Sequence, residues 1–140
     1  MVSSAILSID IGEARVGVAI ASPDVRIARP LTTLERTPTI FEKIARLARE
    51  HDASRLVAGL PRNLAGQATE QTARAEAFAR EAQHYCGLPL SFQDEALTSV
   101  KAEAELANRK KPYTKADIDA LAATYILEDY LAEHPEVAHA

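Results

Sequence analysis

Ala5-Ile6-Leu7-Ser8-Ile9-Asp10-Ile11-Gly12-Glu13-Ala14-Arg15-Val16-Gly17-Val18-Ala19-Ile20-Ala21 contains two apolar, β-branched runs joined by a short link with one glycine. Runs at 5–10 and 16–21 with this spacing predict a β-hairpin. A third strand is expected from Arg26 to Leu34, where Pro30 marks an edge or an irregularity.

Downstream, strands alternate with helices. Thr37-Pro38 reads as an N-cap followed by proline at the first helical position, and Ile40, Phe41, Ile44, Leu47 and Ala48 keep helical spacing behind it. A fourth strand over 55–60 is halted by Pro61. The loop 61–67 then leads to an alanine-rich helix over 68–86, closed by Gly87. A strand at 88–93, a helix at 98–108, a basic loop at 109–113 and a helix at 115–131 follow, with 133–140 expected to fray. This order implies an α/β fold, one domain over 1–140. Its five-stranded mixed sheet has three antiparallel strands, then parallel additions, and is flanked by helices. Sites in such sheets gather outside the carboxyl ends of the parallel strands, where Asp10 and Glu95 both fall.

The chain has 140 residues, 47% hydrophobic and 26% charged, ordinary for a globular protein with its own core. No apolar run approaches the ~18 residues of a membrane span. Met1-Val2-Ser3-Ser4 lacks the features of a signal peptide. The single Cys86 excludes an internal disulfide and is expected as a reduced, half-buried thiol, giving a cytoplasmic expectation. Net charge is −4, yet Lys101, Arg109, Lys110, Lys111 and Lys115 outweigh Glu103 and Glu105 to leave a local +3. Such a loop suits a phosphate backbone, and it is equally what a solvated loop looks like.

Three acids stand in apolar or compact surroundings: Asp10, Glu95 beside Asp94, and Asp119. Unpaired carboxylates are costly to bury, and few Lys or Arg stand nearby in sequence to pair with these. A divalent cation would compensate all three if the fold gathered them, and hard oxygen ligands suit Mg²⁺ or Mn²⁺. Gly12 and Gly17 would admit a phosphate or metal close to the backbone. Arg15 either grips a phosphate or pairs with Glu13. Strand alternation sends Asp94 and Glu95 to opposite faces without saying which one joins Asp10, and either acid could instead favour the N-terminus of the helix that follows. Asp117 is explained by Thr114-Lys115-Ala116-Asp117, which has the form of a capping box. Asp119 has no such explanation, since Ala122, Ala123 and Ile126 share its face. The four histidines show no metal-binding spacing, and Ser22, Ser99 and Cys86 have no evident base partner.

Together these segments resemble the YqgF (RuvX) family, with an RNase H-like fold. Four motifs in order carry the resemblance: Ser8 to Ala19, Val57-Ala58-Gly59-Leu60-Pro61-Arg62-Asn63-Leu64-Ala65-Gly66, Asp94-Glu95-Ala96-Leu97-Thr98-Ser99, and Asp119 to Leu127. The chain departs from the family at Ala65, where the family often has Asp, and at Ala96, where it often has Arg. The resemblance implies a nuclease, since members are described as Holliday junction resolvases and as nucleases processing the 5′ end of pre-16S ribosomal RNA. By the same carry-over, Asp10, Glu95 and Asp119 would be catalytic metal ligands for two Mg²⁺ or Mn²⁺ ions, with Asp94 and Asp117 as substitutes. Arg15, Asn63, Arg109, Lys110 and Lys111 are the expected substrate contacts. The nucleic-acid partner would be pre-rRNA or branched DNA, and the protein a monomer or weak homodimer. A non-catalytic nucleic-acid-binding factor on the same fold is the alternative. Asp10-x-Gly12 also suits ATP-handling proteins of the actin type, but those need two domains around the nucleotide.

Overall fold

A computed structural model describes residues 5–22, 24–95 and 98–135, apart from the side chains of Thr98 and Ser99. The first half comprises β1 (Ala5–Ile11), β2 (Arg15–Ala21), β3 (Ala28–Glu35), α1 (Ile40–Glu50) and β4 (Ala53–Pro61). The second comprises α2 (Glu70–Cys86), β5 (Leu90–Glu95), α3 (Thr98–Asn108) and α4 (Lys115–Glu133). The five strands form one sheet in the order β3-β2-β1-β4-β5. β1 and β3 each pair antiparallel with β2, while β4 pairs parallel with both β1 and β5. This is the mixed sheet expected from the order of elements. Among the described residues no helix is long and apolar enough to cross a membrane.

Alternation along the strands gives the sheet two unlike faces. Leu7, Ile9, Val16, Val18, Leu56 and Ala58 pack with Ile44, Phe78, Ala79 and Ala82 of α1 and α2. Ile6, Ala19, Ala21 and Val57 face the other way, onto Ala123, Ile126, Leu127 and Tyr130 of α4. On that second face many side chains are small, and α4 comes very close. A Cβ on Gly17 would lie 2.0 Å from the Asp119 carbonyl oxygen, and one on Gly59 would lie 2.4 Å from Ile126 Cδ1. Ser8 Oγ donates to the Ala123 carbonyl and Thr33 Oγ1 to that of Ala116, both at 2.7 Å. The room at Gly17 is therefore taken by α4, not by a ligand. At Gly12 a Cβ would meet the Arg15 carbonyl at 2.8 Å, across the hairpin that the Gly12 N–H closes.

Several boundaries shift from the sequence expectation. α1 begins at Ile40, not after Thr37, because Thr37-Pro38-Thr39 forms a turn whose Thr37 carbonyl accepts from the Ile40 N–H. Pro61 ends β4 opposite Glu95, and the Arg62 N–H carries the ladder on to the Glu95 carbonyl. β5 runs from Leu90 to Glu95 because Pro89 has no N–H to pair, and its carbonyl accepts from Leu56. α4 continues through Glu133, two residues further than expected; of the tail, 136–140 lie outside the described residues, as does Ala96. Gly87 closes α2 in the left-handed region, φ 67°, as its position after the helix implied.

Gly17→Ala is expected to cost about 3 kcal/mol, the upper range for overpacking, because a helix backbone cannot swing aside as a side chain does. Urea unfolding monitored by circular dichroism reads this directly. An unchanged midpoint would mean that α4 has freedom to lift.

Candidate active site

β1, β4 and β5 run parallel, and at their carboxyl ends lies a cleft of about 260 Å³. Asp10, Gly59, Pro61, Arg62, Gln71, Glu95 and Asp119 are among its lining residues. Each acid arrives by simple periodicity. Asp10 shares the α4 face with Ile6 and Ser8. Glu95 follows Ser91, whose hydroxyl lies 3.3 Å from Tyr130 Oη of α4. Asp94 consequently points to the opposite face, where it is exposed and accepts from Arg62 Nη2 at 3.0 Å. Asp117 accepts from the Thr114 N–H at 2.9 Å in the expected capping box. Neither substitute acid lines the cleft.

The cleft is electrostatically tense. Burial, and then the charge of Asp119, push the Asp10 carboxyl up to about 7. Burial also lifts Glu95 to about 8, reinforced by the facing Asp129 and opposed by Lys101. Glu95 Oε1 is buried with no hydrogen-bond partner. Asp119 does have a cationic partner: Arg15 Nε donates to its Oδ2 at 2.7 Å. Few basic residues stand in the segments of these acids, and the fold supplies one to Asp119 from elsewhere in the chain. The cation reaches it from β2, and Arg15 pairs with Asp119 instead of Glu13. Among the described residues no three acid, histidine or cysteine side chains close around a single point, since Glu95 faces Asp129. The donor set nonetheless fits a hard divalent cation. It offers carboxylates only, two of them repelling one another and a third with a buried, unanswered oxygen.

The other expected contacts are placed differently. Asn63 is occupied with its own loop: Oδ1 accepts from the Ala65 and Gln67 N–H groups and Nδ2 donates to Gln67 Oε1. Arg109 pairs with Glu105 one helical turn away. Arg109 and Lys111 line a separate cavity with Pro30 and Tyr113, and none of Arg109, Lys110 and Lys111 lines the acid cleft. The physical reason is that α3 packs along α4 through Ala102, Leu106, Leu121 and Ala122, which delivers its carboxyl end to the β3 side. Two cleft residues escaped the sequence reading, Arg62 and Gln71. Arg62 stood inside the quoted motif Val57 to Gly66 without a role of its own, and the only signal for Gln71 was its position in the first turn of the following helix.

A five-stranded mixed sheet carrying carboxylates at its parallel strand ends is an RNase H-like arrangement. RuvC of T. thermophilus, in complex with Holliday junction substrate, shares the fold with a TM-score of 0.58 at 15% identity, over 94% of this chain and 96% of that one. The family model RuvX, described as Holliday junction resolvase, matches residues 4–133, and the chain belongs to that family. A Chloroflexus aurantiacus protein named "Putative pre-16S rRNA nuclease" is 43% identical over 130 residues, covering 90% of this chain and 85% of the relative. A Moorella thermoacetica protein of the same name is 40% identical over 133 residues, covering 90% and 93%.

The raised acids set a pH signature. Between the ordinary Asp value of 3.8 and about 7, the unfolded chain releases the Asp10 proton while the folded one keeps it. Stability in EDTA should therefore fall as pH rises through that window, and Glu95 extends the fall towards 8. Asp10→Asn should flatten this dependence and raise the melting temperature at pH 8 by roughly 5 °C. Thermal melts across pH, in EDTA, measure both; an Asn variant less stable than the parent at pH 8 would contradict desolvation and repulsion as the cause.

Proposed function

We propose that the chain is a metal-dependent nuclease that hydrolyses phosphodiester bonds in the 5′ region of pre-16S rRNA, in the cytoplasm. The observation that carries this reading is the convergence of Asp10, Glu95 and Asp119 on one cleft at the carboxyl ends of β1 and β5 and the first turns of α4. The family supports it, and so do the names of the relatives at 43% and 40% identity.

Asp10 and Asp119 would hold the cation, and Glu95 of β5 lines the same cleft as the third candidate ligand. Bound as a pair, Mg²⁺ or Mn²⁺ ions supply an activated water and stabilise the leaving oxygen. The remaining work falls to the chain itself. Arg62 lines the cleft with its guanidinium paired to Asp94, and Arg15 is paired to Asp119; a phosphate would draw on the donors these two pairs leave over. Arg15 also fixes Asp119 by a 2.7 Å bond, so the acid is oriented before substrate arrives. The Thr72 hydroxyl donates to the Pro61 carbonyl and ties the start of α2 to the cleft floor, which holds Gln71 at the rim. A single cleft suffices for one cut in an RNA strand, so the active unit is a monomer or a weak homodimer.

The family model's description favours a second reading, resolution of Holliday junctions. Symmetrical cutting of a junction needs two active sites, hence a dimer. Incubation of a pre-16S 5′ leader and of a synthetic four-way junction with Mn²⁺ or EDTA separates the readings. Mn²⁺-dependent cutting of the leader, lost to background in Asp10→Asn, is the expected result. Preferred cutting of the junction would transfer the assignment to resolution. Binding without cutting of either would make the chain a non-catalytic nucleic-acid-binding factor.

A further inference from the structure

A second, larger cavity of about 660 Å³ opens beside the acid cleft, between the β1–β2 turn and α2. The two share Ile11, Gly12 and Gln71, so Gly12 and Gln71 form the sill between them. From Gln71 the groove follows one face of α2 past Arg74 and Phe78 to Glu81, about 15 Å at the α-helical rise. Its floor is aromatic: the rings of Phe41 and Phe78 lie 4.7 Å apart. Arg36 is laid over this floor, with Cζ 4.6 Å from the Phe78 centroid, and its Nη1 donates to the Gly12 carbonyl at 2.8 Å. Ring contact and hydrogen bond hold that guanidinium in place, and Arg36 is exposed. Arg74 is exposed one turn along from Gln71 and makes no ion pair or side-chain hydrogen bond among the described residues.

Arg36 and Arg74 stand in the groove with Glu13 and Glu81, so its charge is near balance and its aromatic floor and guanidinium groups are what it offers a ligand. A guanidinium held over aromatic rings at an exposed position offers a surface on which a base can stack. A duplex keeps its base faces inside its own stack and has none to offer.

We propose that this groove binds the unpaired nucleotides flanking the scissile phosphate. A base stacks on Arg36, and Arg74 takes the neighbouring phosphate. The proposal rests on the nuclease reading of the adjoining cleft and adds the substrate's form, a single strand running from the acids along α2. Recognition is of base faces, so RNA and DNA strands are both ligands.

Binding of labelled oligo-U and oligo-dT, and of a blunt two-strand duplex without unpaired nucleotides, measured by fluorescence anisotropy in EDTA, tests this without requiring cleavage. The variants are Arg74→Ala, at an exposed helix position, and Arg36→Met, which keeps apolar cover on Phe78. Each is expected to weaken single-strand binding by about tenfold, the size of one stacking or phosphate contact, and to leave duplex binding unchanged. On a cleavable leader with Mn²⁺, Arg74→Ala should raise KM with little change in kcat. Unchanged single-strand affinity in both folded variants overturns the proposal, as does an equal loss for strand and duplex. The two readings fail separately. Strand binding that needs Arg74, in a protein that cuts nothing, sustains the groove and removes the nuclease; cutting with unaltered binding in both variants does the reverse.

Discussion

Where Gly17 would carry a side chain lies the backbone of α4, and most of the site follows from that contact. The Asp119 carbonyl would be 2.0 Å from a Cβ at this position, so the first turns of α4 rest directly on β2. That depth brings Asp119 within reach of Arg15 on the same strand and of Asp10 on the next. Gly59 repeats the arrangement further along, where Ile126 fills its space. Ser8 and Thr33 then satisfy α4 carbonyls from the sheet, so the polar groups of an α4 pressed this close are answered. A bulkier residue at Gly17 would raise the helix and draw apart acids whose value depends on proximity.

The two faces of the sheet divide the labour. The α1–α2 face carries large aliphatic side chains and supplies the main core, with Leu7, Ile9, Val16, Val18 and Leu56 fully buried. The α4 face gives up bulk for closeness and holds the acids. Energy from the first face offsets the cost of the second, where Asp10 is desolvated beside another carboxylate and Glu95 Oε1 has no partner.

The sequence revealed those features that local periodicity controls. The hairpin, the mixed sheet, the alanine-rich helix closed by Gly87 and the Thr114–Asp117 capping box all follow from short-range patterns. Alternation showed that Asp94 and Glu95 diverge, but the choice between them needed the position of α4, which no local pattern states. Arg15–Asp119 was illegible for the same reason, because its partners lie at opposite ends of the chain. Gly17 was legible as a place of close approach and misread as to what approaches. Thr37-Pro38 carries a true cap signature, yet the turn it forms ends at Ile40. The basic loop drew attention by charge, whereas its place on the β3 side was fixed by the packing of α3 on α4.

The ion pair between Arg15 and Asp119 also joins distant parts of the chain. β1, β2 and β3 are connected by local turns, whereas α4 lies across them from the far end of the sequence, its Asp119 104 positions from Arg15. Asp119 stands near Asp10 against mutual repulsion, and Arg15 on the hairpin supplies the opposite charge that offsets it. The pair is a latch: the contact that seats the returning helix also orients an acid of the cleft, so fold and cleft are fastened at the same point.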